Sequence, residues 1–255
     1  MMQTYTRAKL SLEDLQFVVN ALCRPGERET TLLKLLADEE MRDTMLEHPS
    51  VLTCLQDTTQ TLTITPFLYF YLLVRRALQD FEIDDRVVAE YLANLLVEFG
   101  HGRRAYRPHA RADKEYHYLV DLLQDLLAAG KAESFYLRSH LGNYALFLTG
   151  LYPARVYYRA KYRAPAPDFS YYETLGSKSF RMAAQHEYAL RHGLHDTFEL
   201  LGRRFKRVRA ALNHAAENYM RLDRNAAGIE GVLRRVDHFI AEQQGEEKDQ
   251  AVWED

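Results

Sequence analysis

The sequence has few cysteines, glycines and prolines. Two cysteines, 12 glycines and 7 prolines occur among its 255 residues. Two cysteines make neither a disulfide framework nor a four-cysteine zinc site, and they are typical of a protein in a reducing compartment. The net charge is -3, so the molecule as a whole has no field strong enough to attract nucleic acid or an anionic membrane by itself.

Apolar segments of membrane-spanning length are also missing. The most apolar stretch, residues 66–74, ends at two arginines and is about half as long as a bilayer requires. The polar N-terminus shows no signal-peptide pattern. We therefore predict a soluble, cytoplasmic protein that has no membrane partner.

Strand patterns are nearly absent as well. Only residues 58–65 alternate threonine with apolar side chains, and because a lone strand has nothing to pair with, we interpret this segment as a linker. Helix-starting patterns, in contrast, recur along the chain. The predicted N-caps are Ser11, Thr65, Asp84 or Asp85, Asp113 and Ser170. These signals predict an all-α, multi-helix bundle of about ten helices with no significant β-sheet.

The strongest helix pattern lies towards the C-terminus. Apolar residues recur at alternating spacings of four and three from Leu194 to Tyr219, which predicts one long, continuous helix with a buried apolar edge and a solvent-facing basic edge. A second patterned stretch covers residues 229–239, so the bundle is expected to end in a long αα-hairpin. The apolar edge can pair within the chain, or residues 194–240 can form a homo-oligomer.

Proline and glycine positions indicate how the chain is organised. Residues 1–57 are predicted to form an N-terminal cluster of short helices, either separate or part of the same domain. Residues 66–243 are predicted to form the main bundle, and residues 244–255 an acidic tail that frays. Within the bundle, Pro153 is expected to stop one helix and Gly176 to interrupt another.

One histidine falls on an apolar helix face. On the predicted helix 132–148, helical periodicity places Glu133, Tyr136, His140 and Tyr144 on the same side. An imidazole in such surroundings can have a perturbed pKa, take part in a proton relay or bind a haem-type group. The alternative is a half-buried histidine that a backbone carbonyl or a tyrosine hydroxyl satisfies. These four residues are the candidate catalytic residues.

Other signs of chemistry are weak. Glu98 and His101 have the spacing of a metal-binding pair, but Gly100 is expected to end their helix between them. His214 and Glu217 are predicted to lie on the outer side of the long helix. No nucleophile elbow and no glycine-rich phosphate loop is present. The sequence therefore predicts no metal site, leaves any cofactor unknown and favours a function other than catalysis.

Basic residues cluster in three segments, of which the third is the outer edge of the long helix. The first two segments supply the candidate binding residues: Arg103, Arg104, Arg107, Arg155, Tyr157, Tyr158, Arg159 and Tyr162. Arginine and tyrosine are enriched at protein interfaces, and together they also suit phosphate contact and base stacking. If the three segments converge they form an anion site, and if they do not, each is a solvated face.

Three functional hypotheses follow from these patterns. The first is an adaptor or regulator that binds another protein through the Tyr/Arg-rich surface. The second is a helical-bundle enzyme, or a binder of a small molecule, metal or haem, centred on His140. The third is binding of nucleic acid or another anion by the converging basic segments. The lack of catalytic motifs favours the first hypothesis.

Overall fold

The computed structural model describes residues 6–23, 29–57, 64–100, 104–109, 112–116, 119–162 and 166–220. Within these ranges every regular element is helical and no strand occurs, which confirms the all-α prediction. The α-helices are α1 (Leu12–Leu22), α2 (Glu29–Leu36), α3 (Glu39–Leu46), α4 (Pro49–Asp57), α5 (Pro66–Asp80), α6 (Arg86–Gly100), α7 (Leu119–Ala128), α8 (Lys131–Leu151), α9 (Pro153–Tyr162), α10 (Phe169–Ala184), α11 (Glu187–Arg191), α12 (His195–Arg203) and α13 (Phe205–His214). Short 3-10 turns cover Arg7–Lys9 and Arg104–Tyr106, and a π-helical turn covers Ala215–Tyr219.

Three predicted helix starts are confirmed by their hydrogen bonds. The Ser11 hydroxyl accepts from the Asp14 N–H at 3.1 Å, and the Asp14 carboxylate accepts in return from the Ser11 N–H at 3.2 Å. Thr65 accepts from the Leu68 N–H at 3.2 Å, and Asp85 accepts from the Val88 N–H at 2.9 Å. Each side chain thus satisfies an N–H that has no partner within its helix.

Two other predicted starts are wrong. The segment after Asp113 is not helical. The Tyr116 N–H donates to the Tyr106 carbonyl at 2.7 Å, so the chain runs back beside the preceding turn. The next helix, α7, begins at Leu119. The N-cap of α10 is Asp168 rather than Ser170, since its carboxylate accepts from the Tyr171 N–H at 2.8 Å.

Pro153 stops α8 as expected, because that helix ends at Leu151, whereas Gly176 acts differently from what we expected. Pro153 is the first residue of α9, where its missing N–H costs nothing because no helical acceptor is available for it there. Gly176 does not interrupt α10, which runs without a break to Ala184. Instead, Gly176 lets the ring of Phe205 approach, and a Cβ there would be 2.4 Å from that ring.

The long C-terminal helix is broken, so that prediction of a continuous helix is wrong. Arg204, with φ -107° and ψ 23°, separates α12 from α13. At the break the Ser177 hydroxyl donates to the Gly202 carbonyl at 2.7 Å, and a side chain that bonds into the helical ladder is a common cause of a kink. The second half of the predicted hairpin, residues 229–239, lies outside the described ranges, as do linker residues 58–63 and the acidic tail.

The face assignment of this segment is confirmed despite the break. Phe198, Leu201, Phe205, Val208 and Leu212 are each at most 2% exposed, whereas the side chain of Lys206 is 80% exposed. The apolar edge packs against α8, α10 and α5 of the same chain. This part of the segment therefore leaves no free apolar edge for a second copy.

Helix α8 lies at the centre of the bundle, in contact with α6, α7, α9, α10 and α13. Apolar residues of the N-terminal helices, such as Val18, Leu46 and Val51, belong to the same hydrophobic core as those of α5 to α13. The division into two domains stays a prediction. None of the helices in the described ranges is both long and apolar enough to cross a membrane.

Candidate functional site

A cavity of about 320 Å³ lies between α6, α8 and the beginning of α12. Residues 107–109 and the turn from His192 to Leu194 complete its lining. Ligand pockets in proteins measure roughly 300–1,000 Å³, so this cavity has room for a small organic molecule.

Aromatic side chains form much of the cavity wall. The Tyr91 ring meets the Phe198 ring edge-on at 5.5 Å between centroids, and Phe135 lies 6.2 Å from Phe198. On another side, Phe99 lies 5.7 Å from the His140 ring. Rings from α6, α8 and α12 therefore surround the cavity, an arrangement that suits a flat apolar molecule.

Two of the four candidate residues predicted around His140 line this cavity. His140 is only 3% exposed and lies on the wall together with Tyr136. Tyr144 is half-buried with its ring 6.5 Å from His140, but it does not line the cavity. Glu133 is exposed and belongs to a neighbouring pocket that Lys114 and Tyr116 also line. The structure thus gathers His140 and Tyr136 at this cavity, whereas Glu133 shares only the neighbouring pocket with Tyr136.

A buried hydrogen bond in the cavity lining joins α6 to α8. The Tyr91 hydroxyl donates to the Asn143 side-chain oxygen at 2.7 Å, and both residues are buried. Burial raises the pKa of Tyr91, so its phenol stays protonated and keeps its proton for this bond. The Asn143 oxygen is thereby engaged, and its amide nitrogen has no hydrogen-bond partner among the described residues.

Thr197 brings a second polar group to the cavity lining, from α12. Gly193 has a φ of +65°, a conformation that favours glycine, and it turns the chain from α11 into α12. The Leu194 N–H then bonds the Ala189 carbonyl at 2.8 Å, which fixes where α12 begins. Thr197, on the first turn of α12, lines the cavity and is 4% exposed. Its hydroxyl has no hydrogen-bond partner in the described part of the chain.

Charged side chains of the lining are mostly paired with residues outside it. Glu90 accepts from Arg7, at 3.0 Å from Nε and 3.2 Å from the backbone N–H. Arg107 donates to Glu115 from Nε at 3.0 Å and from Nη2 at 2.6 Å. Glu98 is a half-buried carboxylate of the lining.

The described ranges hold no group of three or more His, Cys, Asp and Glu side chains that could bind a metal. Of the two histidine–glutamate pairs considered in the sequence, the first is Glu98 with His101, and His101 lies outside the described ranges. His214, of the other pair, is half-buried rather than fully outward. Its ring meets Phe81 at 5.6 Å, and its Nε2 lies 3.7 Å from the Asp80 carboxylate.

Sequence reasoning missed Tyr91, Asn143 and Thr197 as site residues. A signal was present for Thr197, which occupies a polar position at the edge of the apolar stripe, beside Leu194, Phe198 and Leu201. Periodicity also placed Asn143 on the His140 face. Tyr91 lies on a helix that is buried nearly all round, so no periodic signal distinguishes it.

The predicted Tyr/Arg-rich surface is the outer face of α9. Tyr157, Tyr158 and Tyr162 are 57–61% exposed, and Val156 anchors the helix to the bundle. Tyr158 and Tyr162 pack together at 4.8 Å, and the Lys161 ammonium lies 5.2 Å from the Tyr162 ring. The ion pairs of the described residues do not include Arg155, Arg159 or Lys161.

The described cations of the other basic segments are mostly paired with carboxylates. On α12 and α13, Arg203 pairs with Glu199 at 2.7 Å, and Glu173 lies 2.9 Å from Arg209 and 3.5 Å from Lys206. Arg207 pairs with Glu82. Arg107 points to Glu115, whereas Arg103, Arg111 and the Arg104 side chain lie outside what the structure describes. These pairs give no support to a single converged anion site.

No protein-family model matches the chain, and neither a curated protein nor a solved structure shows significant similarity to it.

Proposed function

We propose that this protein binds a small organic molecule in the cavity between α6, α8 and α12. The observation that carries this proposal is the cavity itself: about 320 Å³ of space with aromatic walls and a few buried polar groups. A concave, mainly apolar pocket with convergent polar groups is the usual form of a ligand site. Binding at this position is the second of the hypotheses drawn from the sequence, and it includes His140.

A variant whose cavity is filled by a larger side chain tests whether a small molecule binds there. Ser139 lies on the α8 wall, and Ser139→Phe would place a ring in the cavity. Ser134→Phe is a matched control, because Ser134 is also half-buried on α8 but does not line the cavity. Each protein is incubated with a small-molecule extract of cells and washed, and the retained compounds are identified by mass spectrometry.

We expect one compound to be retained by the wild type and by Ser134→Phe, and to be missing from Ser139→Phe. Thermal denaturation curves show whether both variants are folded. Equal retention by all three proteins, or no retention by folded wild type, would contradict the proposal.

The Tyr/Arg-rich surface supports a second candidate function, the binding of another protein. The supporting observation is that α9 exposes three tyrosines beside cations that have no carboxylate partner among the described residues. Such surfaces are typical of interface hot spots. Residues Arg155, Tyr158, Arg159 and Tyr162 are replaced together by alanine in the test, and recovery of partner proteins is compared with the wild type. Unchanged recovery would count against this function.

A further inference from the structure

Two residues of the cavity lining carry polar groups that have no hydrogen-bond partner among the described residues. Asn143 is 5% exposed and Thr197 is 4% exposed. Neither the Asn143 amide nitrogen nor the Thr197 hydroxyl bonds to a described residue. Because both residues line the cavity and polar groups inside a protein are nearly always hydrogen-bonded, we expect a molecule in the cavity to bond both groups.

Tyr91 fixes what the Asn143 side chain offers to the cavity. Its hydroxyl holds the Asn143 oxygen at 2.7 Å, so the amide presents its N–H₂ donor to the cavity. Its ring packs on Phe198, the residue next to Thr197, at 5.5 Å. The threonine hydroxyl can donate or accept. A matching ligand therefore carries an acceptor for Asn143 and a donor or acceptor for Thr197.

The charges and the aromatic walls of the cavity further restrict the class of ligand that it can bind. Glu90 and Arg107 are already bonded to Arg7 and Glu115, and a charged group is costly to bury without a new partner. The aromatic wall favours stacking of a flat ring. Resting on the proposed function, we infer that the ligand is a neutral, planar ring compound that carries both a carbonyl acceptor and an N–H or hydroxyl, as in a cyclic aromatic amide.

Three probes that share a two-ring frame test this ligand class: 2-quinolone, naphthalene and N-methylquinolinium. The first has the amide edge, the second has no polar edge and the third is a cation. Their dissociation constants are measured by NMR titration for the wild type and for Thr197→Val, which keeps the side-chain shape. The control is Thr149→Val, since Thr149 is a buried threonine on α8 that bonds the Ala145 carbonyl and does not line the cavity.

We expect the wild type and Thr149→Val to bind 2-quinolone about tenfold more tightly than naphthalene, and Thr197→Val to lose about three- to tenfold of that preference. Asn143→Leu should lose a similar factor, and circular dichroism checks its folding. Equal binding of 2-quinolone and naphthalene, or tightest binding of the cation, would overturn the inference while leaving ligand binding in the cavity intact. Absence of binding by all three probes would overturn the inference as well, and the extract experiment then decides separately whether the cavity binds anything.

Discussion

Gly176 and Phe205 are in direct contact at the point where α10 meets α13. A Cβ added to Gly176 would lie 2.4 Å from the Phe205 ring and 3.0 Å from the Ala145 side chain on α8. The contact therefore holds three helices together at one position, and it explains a glycine in the middle of a continuous helix.

The first prediction concerns this glycine. In an exposed helix interior, Gly→Ala stabilises by about 1 kcal/mol. Gly176→Ala should instead destabilise by about 1–3 kcal/mol, since the added methyl must displace a buried ring. Gly130→Ala, at the N-cap of α8, is the control for an added methyl in open space, because nothing lies within 4 Å of its added Cβ, and it should cost less than about 1 kcal/mol. Urea denaturation measures both, and a stabilised Gly176→Ala would show that α10 and α13 are farther apart than described.

The second prediction tests which edge of α13 is buried. Phe205 is 2% exposed, and Phe205→Ala should lower the free energy of unfolding by about 3–5 kcal/mol. Its neighbour Lys206 is 80% exposed on its side chain, and Lys206→Ala should change that free energy by less than about 0.5 kcal/mol. Chemical denaturation of both variants provides the comparison, and the reverse ranking would refute the face assignment.

The third prediction concerns Asp14, which connects two helix starts. Its carboxylate accepts from the Thr65 N–H at 2.7 Å and from the Thr65 hydroxyl at 2.8 Å, in addition to the Ser11 N–H. Asp14→Ala leaves these half-buried donors without their acceptor and should cost about 2 kcal/mol. Asp38→Ala removes an exposed N-cap of α3 and should cost about 1 kcal/mol. Thermal unfolding monitored by circular dichroism distinguishes the two, and equal losses would mean that Asp14 caps only its own helix.

The fourth prediction is a pH dependence at Glu47. Burial of this carboxyl raises its pKa, but hydrogen bonds from Arg86 and Arg75 outweigh that effect, and the net pKa is lowered from 4.5. Glu47 is thus more acidic in the folded than in the unfolded state. Its contribution to stability is present above the unfolded pKa and is lost as the pH falls through the lower, folded pKa.

Glu47→Gln removes this contribution. It should lower the free energy of unfolding by about 1.5–3 kcal/mol near neutral pH, the range for a hydrogen bond to a charged group. The difference from the wild type should shrink as the pH falls below about 4. Urea titrations at several pH values measure it, and a difference that does not vary with pH would exclude the ionic contribution.

Local signals predicted the helices well, and tertiary contacts account for the errors. Ser11, Thr65 and Asp85 cap helices as their sequence patterns indicate. The break at Arg204 was not predictable, because it coincides with a hydrogen bond between Ser177 and Gly202, which are 25 residues apart in the chain. Gly176 misled the prediction for a related reason, since its partner Phe205 is distant in sequence.

The candidate site was predictable only in part. Helical periodicity correctly brought His140 and Tyr136 to one face, because both lie on α8. The cavity also needs α6 and α12, and no sequence pattern indicates that Tyr91 meets Asn143 or that Thr197 faces them. Glu133 was included among the candidate site residues because helical periodicity identifies only the face of the helix. Periodicity cannot show which neighbouring element covers each end of that face.

A chemical-shift map with a fragment library tests the central claim, ligand binding in the cavity, most directly. The protein is labelled with ¹⁵N and ¹³C, and hits from a library of small neutral and charged ring compounds are titrated one at a time. We predict that the signals of Asn143, Thr197 and His140 shift while those of Tyr157 and Tyr158 on α9 do not. A library without hits, or hits that shift α9 and leave the cavity signals unchanged, would contradict the account.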